Sequence, residues 1–69
     1  MPSFDISLNG KRMATDAATL HALLQAQGYD FKNAFACAIN NTFVLRPHWP
    51  DRALQAGDRI DVITPIAGG

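Results

Sequence analysis

Apolar and polar residues alternate with period two over Phe4-Asp5-Ile6-Ser7-Leu8, the pattern of a strand with one buried face. Asn9-Gly10 follows directly, and these two residues supply the positive φ that both central positions of a type I′ hairpin turn require. A return strand over Lys11-Arg12-Met13-Ala14-Thr15 is therefore predicted. The period then changes. Leu20, Leu23 and Leu24 recur at i, i+3 and i+4, Thr19 stands at an N-cap position, and Gly28 stands where a left-handed C-terminal cap is wanted. A helix of little more than two turns does not persist alone, so its leucine face must rest on the sheet.

Beyond the polar connection Tyr29-Asp30-Phe31-Lys32-Asn33, the run Phe35-Ala36-Cys37-Ala38-Ile39 reads as a mostly buried strand. Asn40-Asn41 turns the chain and Thr42-Phe43-Val44-Leu45 returns it. Pro47 and Pro50 interrupt any strand ladder and predict an irregular segment around Trp49. Ala56-Gly57-Asp58 marks a further turn and launches the last strand, Arg59 to Ile66. This order predicts an α+β fold of the β-grasp (ubiquitin-like) type, a mixed sheet of about five strands with one main helix packed on one face. The last strand is expected centrally, beside the first and parallel to it. Residues 1–66 would form a single domain, and residues 67–69 a flexible C-terminal diglycine tail.

Composition narrows the setting. A 69-residue chain buries only about 60% of its unfolded surface, so the core must be small and dense. One cysteine, Cys37, makes no intramolecular disulfide, and the N-terminus has neither a basic n-region nor an apolar h-region. A cytoplasmic location is expected. Six basic residues balance six acidic ones and only Lys11-Arg12 pairs densely, which leaves no electrostatic footprint for nucleic acid or an anionic membrane.

Strand parity puts Ile60 and Val62, with Thr64, on one face and Ile63 with Pro65 on the other. The same parity turns Val44 inward and Phe43 and Leu45 outward. Phe43, Leu45 and Ile63 on the open sheet face are a candidate docking patch, although single exposed hydrophobes are also ordinary. Cys37 shares its parity with Phe35 and Ile39 and has no base or cation beside it in sequence, which favours core packing over nucleophilic work. His21 is placed on the exposed side of the helix. With His48 distant and no other ligand at suitable spacing, no metal site is predicted. No Ser-His-Asp set, phosphate-binding loop or carboxylate pair can be assembled, so no active site of the chain's own is expected. Trp49 is read as a half-buried lid over one end of the core. Arg46 is read as pairing with Asp51 or Asp58, or as contacting a partner.

The sequence finishes on Ala67-Gly68-Gly69, and no charged residue follows Asp61. Two glycines give the narrowest peptide available. From Pro65 onward an extended tail would reach roughly 17 Å, enough to thread a partner's cleft. A frayed end is the alternative.

In its second half the chain resembles the ThiS family, the sulfur carriers of thiamine biosynthesis. The matching residues are Ala38-Ile39-Asn40-Asn41, Val44, Arg46 and Trp49, Gly57-Asp58-Arg59-Ile60, and the final Ala67-Gly68-Gly69. Small subunits of molybdopterin synthase (MoaD-like) and other ubiquitin-like carriers share the diglycine and the Gly-Asp; the Asn-Asn, Val44, Arg46 and Trp49 spacing points to the thiamine branch. Leu45 departs from the family, where proline is common. The resemblance implies that an adenylating partner of the ThiF or MoeB type, akin to ubiquitin-activating enzymes, uses ATP and Mg²⁺ to adenylate the Gly69 carboxylate. The chain itself would bind no cofactor. A persulfide sulfur donor would then displace AMP, and the resulting thiocarboxylate would donate sulfur to a ThiG-type thiazole synthase. Gly69 would carry the reacting group, Gly68 would permit close approach, and Ala67 would be the last residue whose side chain must fit. Two alternatives stay open: a molybdopterin synthase small subunit that completes its partner's active site, and another ubiquitin-like sulfur carrier or modifier.

Overall fold

The computed structural model describes residues 3–64. The readings that fall on Pro65, Ile66 and the Ala67-Gly68-Gly69 tail lie outside the described residues. Within them, the first hairpin forms as its turn chemistry dictates. Strands β1 (Phe4–Leu8) and β2 (Lys11–Thr15) pair antiparallel from Phe4↔Thr15 to Leu8↔Lys11, and Asn9 and Gly10 take φ of 54° and 82°. The alternation sets the faces: Ile6 is buried, while Asp5 and Ser7 lie on the other side of the sheet.

Helix α1 (Leu20–Ala26) starts at Thr19, whose hydroxyl accepts from Ala22 N–H at 3.2 Å, and ends before Gly28, whose φ of 84° is the left-handed cap. Leu20, Leu23 and Leu24 are fully buried. Each contributes about 2 kcal/mol by leaving water, which is what holds so short a helix in place. Strand β3 (Ala36–Ile39) and strand β4 (Thr42–Val44) are joined by Asn40 and Asn41, both with positive φ. They are shorter than expected: Phe35 and Leu45 lie just outside the ladder.

The predicted irregular stretch is instead a 3₁₀ helix over Arg46–Asp51. Pro47 occupies its first turn, where a missing N–H costs nothing, and the bond His48 N–H to Leu45 O (2.8 Å) opens it. Strand β5 (Arg59–Ile63) completes a five-stranded sheet of order β2-β1-β5-β3-β4. It lies parallel to β1 through Ser7↔Arg59 and Leu8↔Ile60, and antiparallel to β3 from Ile39↔Ile60 to Ala36↔Ile63. This is the β-grasp arrangement, with the last strand central. Among the described residues it runs to Ile63, and Thr64 is exposed and outside the strand. Among the described residues, no helix is long and apolar enough to cross a membrane.

Candidate functional site

The start of β5 is fixed by Asp58. Its carboxylate is buried (6% exposed) and accepts from Asn40 Nδ2 at 3.1 Å and from Gln55 N–H at 2.9 Å, with Arg52 at 3.8 Å. Asn40 Oδ1 in turn accepts from Arg59 N–H at 3.0 Å. The two turns flagged in sequence, Asn40-Asn41 and Gly57-Asp58, are thus one polar knot at the entry to the central strand. Buried polar groups must be paired, and here each is.

The exit of β5 is held differently. Asn40 N–H donates to Arg59 O, so the hydrogen-bonded pairs between β3 and β5 alternate, and Val62 opposite Cys37 exchanges none with β3. Its N–H points toward β1, whose ladder with β5 has already ended at Leu8↔Ile60. The Asn9 side chain fills the gap: Oδ1 accepts from Val62 N–H at 2.8 Å, and Nδ2 donates to the Tyr29 hydroxyl at 3.3 Å. Sequence reading took Asn9 only as a turn former. No local signal could reveal a partner 53 residues away.

The sheet face away from α1 carries the candidate docking residues. Phe43 is 68% exposed, Leu45 67% and Ile63 47%. Phe43 pairs with Ala38, which pairs with Asp61, and Ala36 pairs with Ile63, so the two alanines pave the floor between Phe43 and Ile63. A shallow depression of about 330 Å³, lined by Ala34, Phe35, Ala36 and Ile63, adjoins this floor. Phe43 and Ile63 point outward as the parity predicts, and Leu45 is exposed just beyond β4; Val44 is half-buried against the core.

Arg46 behaves otherwise than expected. It makes no ion pair with Asp51 or Asp58; the partner of Asp58 is Arg52. Its guanidinium donates to Phe31 O at 2.6 Å and Asn33 O at 2.9 Å, and lies 5.0 Å from the Phe35 ring centre and 4.8 Å from that of Trp49. A planar cation that stacks on two rings and forks onto two carbonyls uses every property that distinguishes arginine from lysine. It ties the loop between α1 and β3 to the 3₁₀ helix. Trp49 is not a half-buried lid: at 1% exposed it belongs to the core, with Nε1 donating to Val44 O at 2.8 Å. His21 is also half-buried rather than on the exposed side, its ring stacked on Phe31 at 4.7 Å.

Cys37 is fully buried, and burial pushes its thiol from the ordinary 9.0 up to about 11 although the Arg46 charge pulls the other way. It packs as a small hydrophobe. Among the described residues no three metal-ligating side chains gather. The arrangement therefore holds a central strand at both ends and sets an apolar face beside it.

No curated protein matches the sequence. The solved structures that share its fold include the crystal structure of thiamine biosynthesis protein ThiS from Geobacter metallireducens, with a TM-score of 0.80, 20% identity and coverage of 96% of this chain and 100% of that one, and the solution structure of a thiamine biosynthesis protein from the same organism, with a TM-score of 0.75, 20% identity and coverage of 96% and 88%. At that identity the likeness is one of fold. The profile of the ThiS family matches residues 6–69, nearly the whole chain, and the protein belongs to the ThiS family.

Proposed function

We propose that this chain is a sulfur carrier in thiamine biosynthesis that works through the carboxylate of Gly69. The observation that carries this reading is the family match running through residue 69, which takes in Gly68-Gly69. The fold supports it. A carrier has to offer its end in a fixed direction, and β5, bonded on both flanks, supplies the base for that.

A carboxylate is a poor electrophile because its charge is shared by two oxygens and neither leaves readily. An adenylating partner of the ThiF or MoeB type supplies activation: the Gly69 carboxylate attacks the α-phosphorus of ATP, with Mg²⁺ in the partner, and pyrophosphate leaves. The terminal sulfur of a persulfide then attacks the acyl carbon and AMP departs. A thiol cleaves the resulting acyl disulfide, taking the donor sulfur into a new disulfide and releasing the thiocarboxylate. That sulfur serves as nucleophile for a ThiG-type thiazole synthase, and the carboxylate returns.

The chain's own residues supply presentation and recognition rather than acid–base catalysis. Phe43, Leu45 and Ile63 dock the partner through their exposed apolar area. Arg46 keeps the adjoining loop in shape for that contact. Gly68 and Ala67 enter the partner's channel, the Ala67 methyl being the last side chain that has to fit there.

Intact-mass spectrometry of protein ending at Gly69, before and after incubation with the activating enzyme, Mg·ATP and a persulfide source, tests the proposal. An oxygen-to-sulfur mass increase localised to Gly69 is expected. An unchanged mass, with partners active on another carrier, would overturn it.

A further inference from the structure

We propose that Asn9 is a positioning residue for the reacting tail, acting through Val62. The inference rests on the carrier reading above. On the β1 side, backbone bonds to β5 stop with Asn9 N–H to Ile60 O at 2.9 Å, because the hairpin turns away there. From that point to Ile63 the only tether described on this side is the Asn9 side chain on Val62 N–H. Asn9 is itself immobilised: its backbone sits in the left-handed region of the turn, its own N–H is bonded to β5, and its Nδ2 reaches Tyr29. One amide thus extends the β1 flank by a further residue pair and fixes the direction in which the chain leaves the sheet.

Removing it leaves β5 attached at its exit by the β3 flank alone, through the pair Ala36↔Ile63. The strand end then swings over a wider range, and the fraction of molecules with the tail aligned for entry falls. Apparent affinity for the activating enzyme falls by that same fraction. Once the tail is seated the chemistry is unaffected, so KM rises and kcat does not. The side chain of an exposed turn residue thereby contributes to a reaction that takes place at the far end of the sequence.

The test uses Asn9→Gly, which keeps a type I′ turn as Gly-Gly but removes the acceptor, and Asn9→Asp, which keeps an oxygen in place and tolerates positive φ. Amide exchange by NMR should show Val62 about fivefold faster in Asn9→Gly, the usual net worth of one hydrogen bond, with amides at the start of β5 unchanged. The KM for the carrier in ATP-dependent activation should rise at constant kcat, by the factor through which the aligned fraction falls, and Asn9→Asp should restore both. Faster Val62 exchange with unaltered KM would reduce Asn9 to a turn residue and overturn the proposal, as would unaltered exchange. A wild-type chain that is never activated would overturn the carrier reading and this one with it. Activation indifferent to Asn9→Gly overturns this one alone.

Discussion

Measuring stability against pH in the wild type and in Cys37→Ala isolates the buried thiol. The folded chain holds this proton up to about pH 11, against 9.0 for an ordinary cysteine. Below pH 9 both folded and unfolded chains keep it and it contributes no pH dependence. Between the two values the unfolded chain releases its proton while the folded chain retains it, so the unfolded state is favoured and stability falls as pH rises. The slope is about 1.4 kcal/mol per pH unit, giving a loss of about 1.4 kcal/mol at pH 10 and approaching roughly 3 kcal/mol above pH 11. A chain of this length has a total of only about 3–10 kcal/mol, so the effect is large. Urea midpoints from about pH 8 to about pH 10.5 would measure it, and subtracting the variant's curve removes the tyrosine and lysine titrations common to both. Cys37→Ala should begin less stable, by on the order of 1 kcal/mol for the volume lost, and the gap should close as pH climbs. Parallel curves would refute the reasoning, because they would mean that the thiol ionises as readily inside the fold as outside. The point bears on function as well. On the proposed carrier reading, a persulfide donor would find no thiolate of this chain to divert the exchange, because its single thiol is protonated and out of water.

Other outcomes follow from the same structure. Trp49→Phe removes the bond to Val44 O and part of the packing on Phe35; it should cost roughly 1–3 kcal/mol, lowering Tm in a circular-dichroism melt by about 4–8 °C for each kcal/mol. Phe43→Ser should leave Tm almost unchanged, within about 0.5 kcal/mol, yet raise KM for the activating enzyme about tenfold, a loss of about 1.4 kcal/mol of binding. Deleting Gly69, or adding one residue after it, should abolish thiocarboxylate formation while urea unfolding stays as in the wild type; normal loading of either variant would contradict a reacting carboxylate at that position.

The strands and the helix were legible because each rests on local chemistry: Asn-Gly and Asn-Asn for turns, three leucines for one helical face, Gly57-Asp58 for the last turn; the central place of β5 followed from the order of elements fitting the β-grasp architecture. Outward parity likewise gave Phe43, Leu45 and Ile63. Arg46 and Trp49 were misplaced for a shared reason. Two prolines suggested an irregular stretch, whereas a 3₁₀ helix tolerates proline in its first turn and brings residues three apart onto one side. That spacing stacks Arg46 on Trp49 and carries the tryptophan into the core. The nearest acids in sequence then drew Arg46 by charge, but its actual acceptors are carbonyls of a loop whose path no periodicity describes. Asn9 and Val62 are the extreme case, a contact created only when the fold closes.

The central place of β5 has a mechanical meaning. Its bonds to β1 and β3 run across the strand, from Gly57 N–H on Asp5 O and Ser7 N–H on Asp58 O to Val62 N–H on Asn9. A pull applied beyond Ile63 along the strand therefore loads these bonds in shear, and they resist as a set. A strand at the edge of the sheet would meet the same load with one flank of bonds instead of two. A partner that drew on the end of this chain, as the carrier reading proposes, would hold it taut and let it go without peeling open the fold.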